Sequence, residues 1–127
     1  MGTVLWVGAG GFLGSVLRYL LAGCVQSAVG GATFPYGTLV VNITGCFGIG
    51  FVSHLIESLG VLGPEMRAFF VIGILGGFTT YSAFGNETIN LIRDRERLAA
   101  ALNVGAHLVL AIGGVWLGRA AAHAIWR

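Results

Sequence analysis

The sequence has 127 residues, of which 56% are hydrophobic and 9% charged. A soluble domain carries roughly a quarter charged residues because its surface faces water, so this composition excludes a water-soluble globular domain and makes membrane lipid the main surface partner. All seven basic residues are arginine and they are dispersed; with a net charge of +2 they form no nucleic-acid face and call for no acidic macromolecular partner.

Crossing the hydrocarbon core takes about 20 helical residues, because the core is roughly 30 Å thick and each residue rises about 1.5 Å. Four stretches meet that length: residues 3–25, 37–59, 66–92 and 98–125. They predict a single-domain, all-α integral membrane fold over residues 1–127.

The first stretch lacks a basic leader segment, and Met1-Gly2 is followed by Trp6 where acylation needs Ser or Thr, so this stretch is expected to remain as a membrane helix. Its one charge, Arg18, cannot lose its proton. That guanidinium either snorkels to the headgroups or serves a pore. Cys24 and Cys46 belong to no metal-ligand spacing and read as small packing residues.

A Gly-, Ser- and Ala-rich connection ending in Phe34-Pro35-Tyr36 leads into the second stretch. Asn42 there offers amide donors to an anion, or joins one helix to another. His54 and Glu57, three apart toward the end, read as an interfacial hydrogen-bonded pair rather than a metal site or proton relay.

The third stretch follows Gly63-Pro64 and holds the strongest local feature, Gly76-Gly77-Phe78-Thr79-Thr80-Tyr81-Ser82. Paired glycines followed by β-branched hydroxyl residues make poor helix, so a break near mid-span is expected. Backbone freed at membrane depth needs protein or water around it, and its carbonyls can then coordinate a cation. Tyr81 and Phe84 are three apart and share a face, where ring edges can meet an anion or pack in a core. Asn86 and Glu87 beyond them fit a wet vestibule.

The fourth stretch follows Arg93-Asp94-Arg95-Glu96-Arg97, a run that must stay in water. Asn103 and His107, four apart, share one face and either line a polar track or bond to neighbouring helices. Arg119 and His123 are expected to snorkel to the interface.

Four spans put Arg67, Arg119 and Arg127 on one side of the membrane and Arg93, Arg95 and Arg97 on the other. This balance leaves the positive-inside rule without a preference. Oppositely inserted copies could therefore pair about a twofold axis in the membrane plane. Small residues four apart, Gly10 with Gly14, Gly73 with Gly77 and Gly114 with Gly118, predict close helix contacts.

Three segments, Gly10-Gly11-Phe12-Leu13-Gly14 through Arg18-Tyr19, Gly37-Thr38-Leu39-Val40-Val41-Asn42 with Gly45, and Gly76 through Phe84, resemble in order and spacing the Fluc (CrcB) family of fluoride channels. The resemblance covers essentially the whole chain. It implies a fluoride-selective channel giving passive fluoride export across the cell (inner) membrane, built as a dual-topology antiparallel homodimer with two pores and one structural sodium ion. The family's sodium-holding backbone carbonyls match Gly76 and Thr79; its pore asparagine matches Asn42, its first-helix arginine Arg18, its two pore phenylalanines Tyr81 and Phe84, its hydroxyl Ser82 and its vestibule glutamate Glu87. Thr80, Asn103 and His107 complete the candidate lining. Two positions depart from the pattern: Tyr81 adds a hydroxyl to the usual phenylalanine, and Ala111 stands where some members carry a hydroxyl.

On this reading no covalent chemistry is called for, and the chain is a channel, not an enzyme. A small dual-topology multidrug exporter would need a carboxylate in its first helix, where this chain has Arg18. A scaffold without transport leaves the glycine-threonine break and Asn42 without a reason.

Overall fold

The computed structural model describes residues 1–126. Arg127, counted above in the charge balance, lies outside the described residues. Among these, all regular structure is helical. Four helices are long and apolar enough to cross a membrane: α1 (Gly2–Ala28), α2 (Tyr36–Leu59), α3 (Pro64–Arg93) and α4 (Arg97–Ile125).

The connections are held by local chemistry. The Gln26 side chain staples the first loop: its Nε2 donates to the carbonyls of Ala32 (2.9 Å) and Phe34 (3.2 Å), and its Oε1 accepts from the Gly37 amide (3.1 Å). That last bond satisfies one of the free amides at the start of α2. Gly60 ends α2 in the left-handed region, φ 59°, which a side chain would disfavour. Pro64 then opens α3 at the position where a missing amide costs nothing.

The helices pack mainly as two pairs, α1 against the first half of α3 and α2 against the C-terminal half of α4. Both pairs meet at glycines. A Cβ on Gly73 would come within 2.9 Å of the Gly10 Cα, and a Cβ on Gly14 would overlap the Ile74 carbonyl. In the second pair, a Cβ on Gly118 would overlap the Phe47 carbonyl, and one on Gly50 the Val115 carbonyl. Lipid tails are as apolar as leucine, so association rests on this backbone-to-backbone approach rather than on escape from water. Aliphatic and aromatic side chains such as Phe12, Leu108, Val109, Ile112 and Trp116 cover the outside.

The third helix is irregular. Its turns widen to π geometry over Ala68–Leu75, resume α geometry at Gly76–Phe78, and leave helical dihedrals at Thr79 (ψ 156°) and Thr80 (φ −148°, ψ 116°) before Tyr81–Arg93. A second wide stretch, His107–Ala111, interrupts α4. Such widened turns shift the side chains of one helix face relative to the next turn.

Candidate functional site

Among the described residues, the irregular part of α3 is hydrogen-bonded to α2 through one residue pair. The Thr80 amide donates to Asn42 Oδ1 (2.8 Å), and Asn42 Nδ2 donates to the Thr80 carbonyl (3.0 Å). An amide N–H can only donate and a carbonyl can only accept, so both ends of the Asn42 side chain are assigned. Asn42 is 7% exposed and Thr80 8%. One Nδ2–H remains, so where the sequence offers two amide donors to an ion, the fold leaves one.

These bonds divert amides from the helix ladder. In an unbroken helix the Thr80 amide would donate to the Gly76 carbonyl and the Ala83 amide to the Thr79 carbonyl. Here Thr80 donates to Asn42, and Ala83 donates to Thr80 Oγ1 (3.2 Å), which caps the second half of α3. The carbonyls of Gly76 and Thr79 lose their helical partners, whereas the Leu75 carbonyl keeps the Thr79 amide (3.1 Å) and the Gly77 carbonyl accepts weakly from Ser15 Oγ (3.5 Å). Gly76 is exposed and Thr79 half-buried.

Beside this pair lies an open groove of about 770 Å³, with Asn42, Thr79, Thr80, Tyr81, Phe84 and His107 among its lining. The rings of Tyr81 and Phe84 stand 5.5 Å apart, and Phe84 lies 4.4 Å from the His107 ring. Tyr81 is 84% exposed. Thr80, Asn42, Tyr81, Phe84 and His107 are thus brought together from α2, α3 and α4.

The remaining candidates take other positions. Ser82 is exposed, its hydroxyl 3.4 Å from Thr80 Oγ1. Arg18 is half-buried on α1, lines no part of this groove, and makes no hydrogen bond or ion pair among the described residues. Glu87 accepts from Thr38 Oγ1 (2.6 Å) through Oε1, and its buried Oε2 has no partner among the described residues. Asn103 is fully buried and donates through Nδ2 to Thr88 Oγ1 (3.0 Å); His107 Nδ1 lies 2.9 Å from the Asn103 carbonyl. Asn103 thus bonds to α3, and His107 reaches the groove.

Sequence reasoning passed over Thr38 and Thr88 as partners. Thr38 stands one turn before Asn42 and Thr88 one turn after Phe84, so helical spacing was the available signal. His54 and Glu57 do not pair. Glu57 forms an ion pair with Arg119, and the His54 ring meets that of His123 edge to face at 5.4 Å. The close α2–α4 packing sets each beside a partner on the other helix, and Arg119 is held by Glu57 instead of extending freely to the headgroups.

The family model described as CrcB-like protein, Camphor Resistance (CrcB), matches residues 5–119. A protein of Opitutus terrae named "Fluoride-specific ion channel FluC" is 47% identical over 124 residues, covering 96% of this chain and 93% of its own length. One of the same name from Geobacter sulfurreducens is 44% identical over 122 residues, covering 96% and 98%. "Fluoride-specific ion channel FluC 1" of Methanosarcina acetivorans is 43% identical over 122 residues, covering 96% and 92%. With that match over most of its length, and with four helices that can span a membrane, this multi-pass membrane chain belongs to the CrcB family.

Proposed function

We propose that this protein is a fluoride-selective channel that lets fluoride leave the cell passively across the cell (inner) membrane, working as an antiparallel homodimer around a structural sodium ion. The observation that carries the reading is the Asn42–Thr80 pair in the lining of the groove, in a chain whose relatives bear the fluoride-channel name. Fluoride is small and tightly hydrated, so a pore must replace its water with donors while staying narrow and dry. The spare Asn42 N–H, the Ser82 hydroxyl and the ring edges of Tyr81 and Phe84 are suited to that exchange. The second half of α3 begins at Tyr81, and the positive end of its dipole faces the same region. Thr80 on α3 and His107 on α4 extend the polar lining, with Asn103 buried one turn before His107, Glu87 stands at the vestibule, and Arg18 adds positive potential from α1.

The sodium fits the donor set. Carbonyls of Gly76 and Thr79 have given up their helical amides, and Gly76 is exposed on a face that a second copy could cover. Two such carbonyls from each subunit would hold a hard cation by oxygen alone. Sodium, when bound, neutralises these carbonyl dipoles. A partner copy would also cover the exposed Tyr81 and close the open groove.

The test is ion efflux from liposomes holding the purified protein. Fluoride efflux far above chloride efflux is expected, and equal or absent fluoride efflux overturns the assignment. For the antiparallel arrangement, cysteine labelling in the third loop should find that loop on both membrane faces; labelling from one face only would refute it.

A further inference from the structure

Two histidines meet at an end of the bundle that the groove does not reach. His54 of α2 stands about two turns beyond Cys46, and His123 of α4 about three turns beyond Ile112, the last groove residues on their helices. The close approach of Gly50 to Val115 and of Gly118 to Phe47 brings these helix ends together. The two rings pack edge to face, with centroids 5.4 Å apart.

This contact leaves one polar atom unanswered. His54 Nε2 is buried and has no hydrogen-bond partner among the described residues. The face of a neighbouring ring is only a second-order partner for it. A buried ring nitrogen in that position is destabilising until something supplies a partner.

The surroundings select what can. Imidazole nitrogens bind zinc at about 2.1 Å, and two of them on one tetrahedral metal put their ring centroids about 5 Å apart. The rings already stand at nearly that spacing, on two helices that pack closely. His123 is exposed, so its ring can turn about its side-chain bonds without repacking the bundle. The charge of the nearby Arg119 is balanced by Glu57, so a divalent cation meets little net repulsion. Both histidines lie within two turns of a helix end, at Leu59 and Ile125, close to water. Among the described residues no group of three His, Cys, Asp or Glu converges. Two imidazoles are then the protein's whole share, and water fills the other positions. That set suits zinc, nickel and copper, which accept imidazole, rather than magnesium or calcium, which take oxygen.

We propose that His54 and His123 form a two-histidine site for a divalent transition metal, which clips α2 to α4 at this end of the bundle. Each ring gives one nitrogen lone pair to the metal, and no other bond forms or breaks. The site is separate from the groove and does not depend on which ion the groove passes.

The experiment is thermal unfolding of the purified protein in detergent, titrated with zinc chloride or nickel chloride after a chelator wash. Each metal should raise Tm by about 4 °C or more once it is in large excess over its Kd, and magnesium chloride should not. Isothermal titration should count one nickel per chain. His123→Ala and, separately, His54→Ala should weaken nickel binding at least about tenfold, the loss that even an outer-shell partner can carry. Cys24→Ser, which removes an exposed thiol, should leave nickel binding unchanged. No rise in Tm with zinc or nickel, an equal rise with magnesium, or nickel affinity unchanged in His123→Ala overturns the proposal. Should His54→Ala fail to fold, His123→Ala decides alone, because that side chain is exposed. None of these outcomes bears on the channel reading, which fluoride efflux tests independently.

Discussion

Asn42 and Thr80 exchange two hydrogen bonds, side chain to backbone in both directions, at 2.8 and 3.0 Å. This pair holds α3 in non-helical geometry at membrane depth. It satisfies the Thr80 amide and carbonyl within the protein, which is the condition for such a break to exist in lipid.

Asn42→Asp is therefore expected to do double damage. A carboxylate keeps the acceptor for the Thr80 amide but loses the donor to the Thr80 carbonyl, and it presents negative charge to an anion. Fluoride flux should fall at least about tenfold, with a stability loss of about 1–3 kcal/mol for the orphaned carbonyl. Liposome efflux and thermal unfolding in detergent check the two effects separately.

Thr38 and Glu87 link α2 to α3 nearer the end of the bundle, at 2.6 Å. Thr38→Val leaves both Glu87 oxygens without a partner and should lower stability by about 1–3 kcal/mol. If the pair acts as a unit, Glu87→Gln should cost less in the Thr38→Val background than alone. A double-mutant cycle by thermal unfolding should return a coupling of about 0.5–3 kcal/mol.

The Tyr81 hydroxyl makes no hydrogen bond among the described residues and the ring is 84% exposed. Tyr81→Phe should leave stability within about 0.5 kcal/mol. Tyr81→Ala removes the ring that stands 5.5 Å from Phe84 and should reduce fluoride flux strongly. Comparing efflux of the two variants separates the ring from its hydroxyl.

Glycines of one helix divide by what faces them. A Cβ on Gly14 would overlap the Ile74 carbonyl, whereas one on Gly8 meets nothing within 4 Å. Gly14→Ala should push α1 from α3 and lower the unfolding temperature, a loss on the order of the 1–3 kcal/mol typical of overpacking. Gly8→Ala should be neutral or gain up to about 1 kcal/mol from helix propensity. Thermal unfolding followed by size-exclusion profile measures both.

Four membrane helices were legible in the sequence because hydropathy and length act locally. The structure extends the expected spans by no more than a few residues, to the caps supplied by Gly60 and Pro64. The four-residue glycine spacings announced close contacts without naming their partners. That α1 meets α3 and α2 meets α4 is a property of the packed bundle.

The candidate site was legible as residue types and helical faces. Asn42, Thr80, Tyr81, Phe84 and His107 are polar or aromatic where lipid disfavours polarity or where the helix is weak, and that signal needs no tertiary information. What only the tertiary structure decided is the partner of each polar group: that Asn42 is committed to Thr80, that Glu57 answers Arg119 and not His54, and that Asn103 bonds to Thr88 of α3. Donor and acceptor inventories are fixed by residue type, but which of them remains unspent depends on the neighbour that packing supplies. For this protein the sequence by itself determined an apolar four-span chain with polar groups at mid-membrane. Packing decided which of those groups are left to meet an ion.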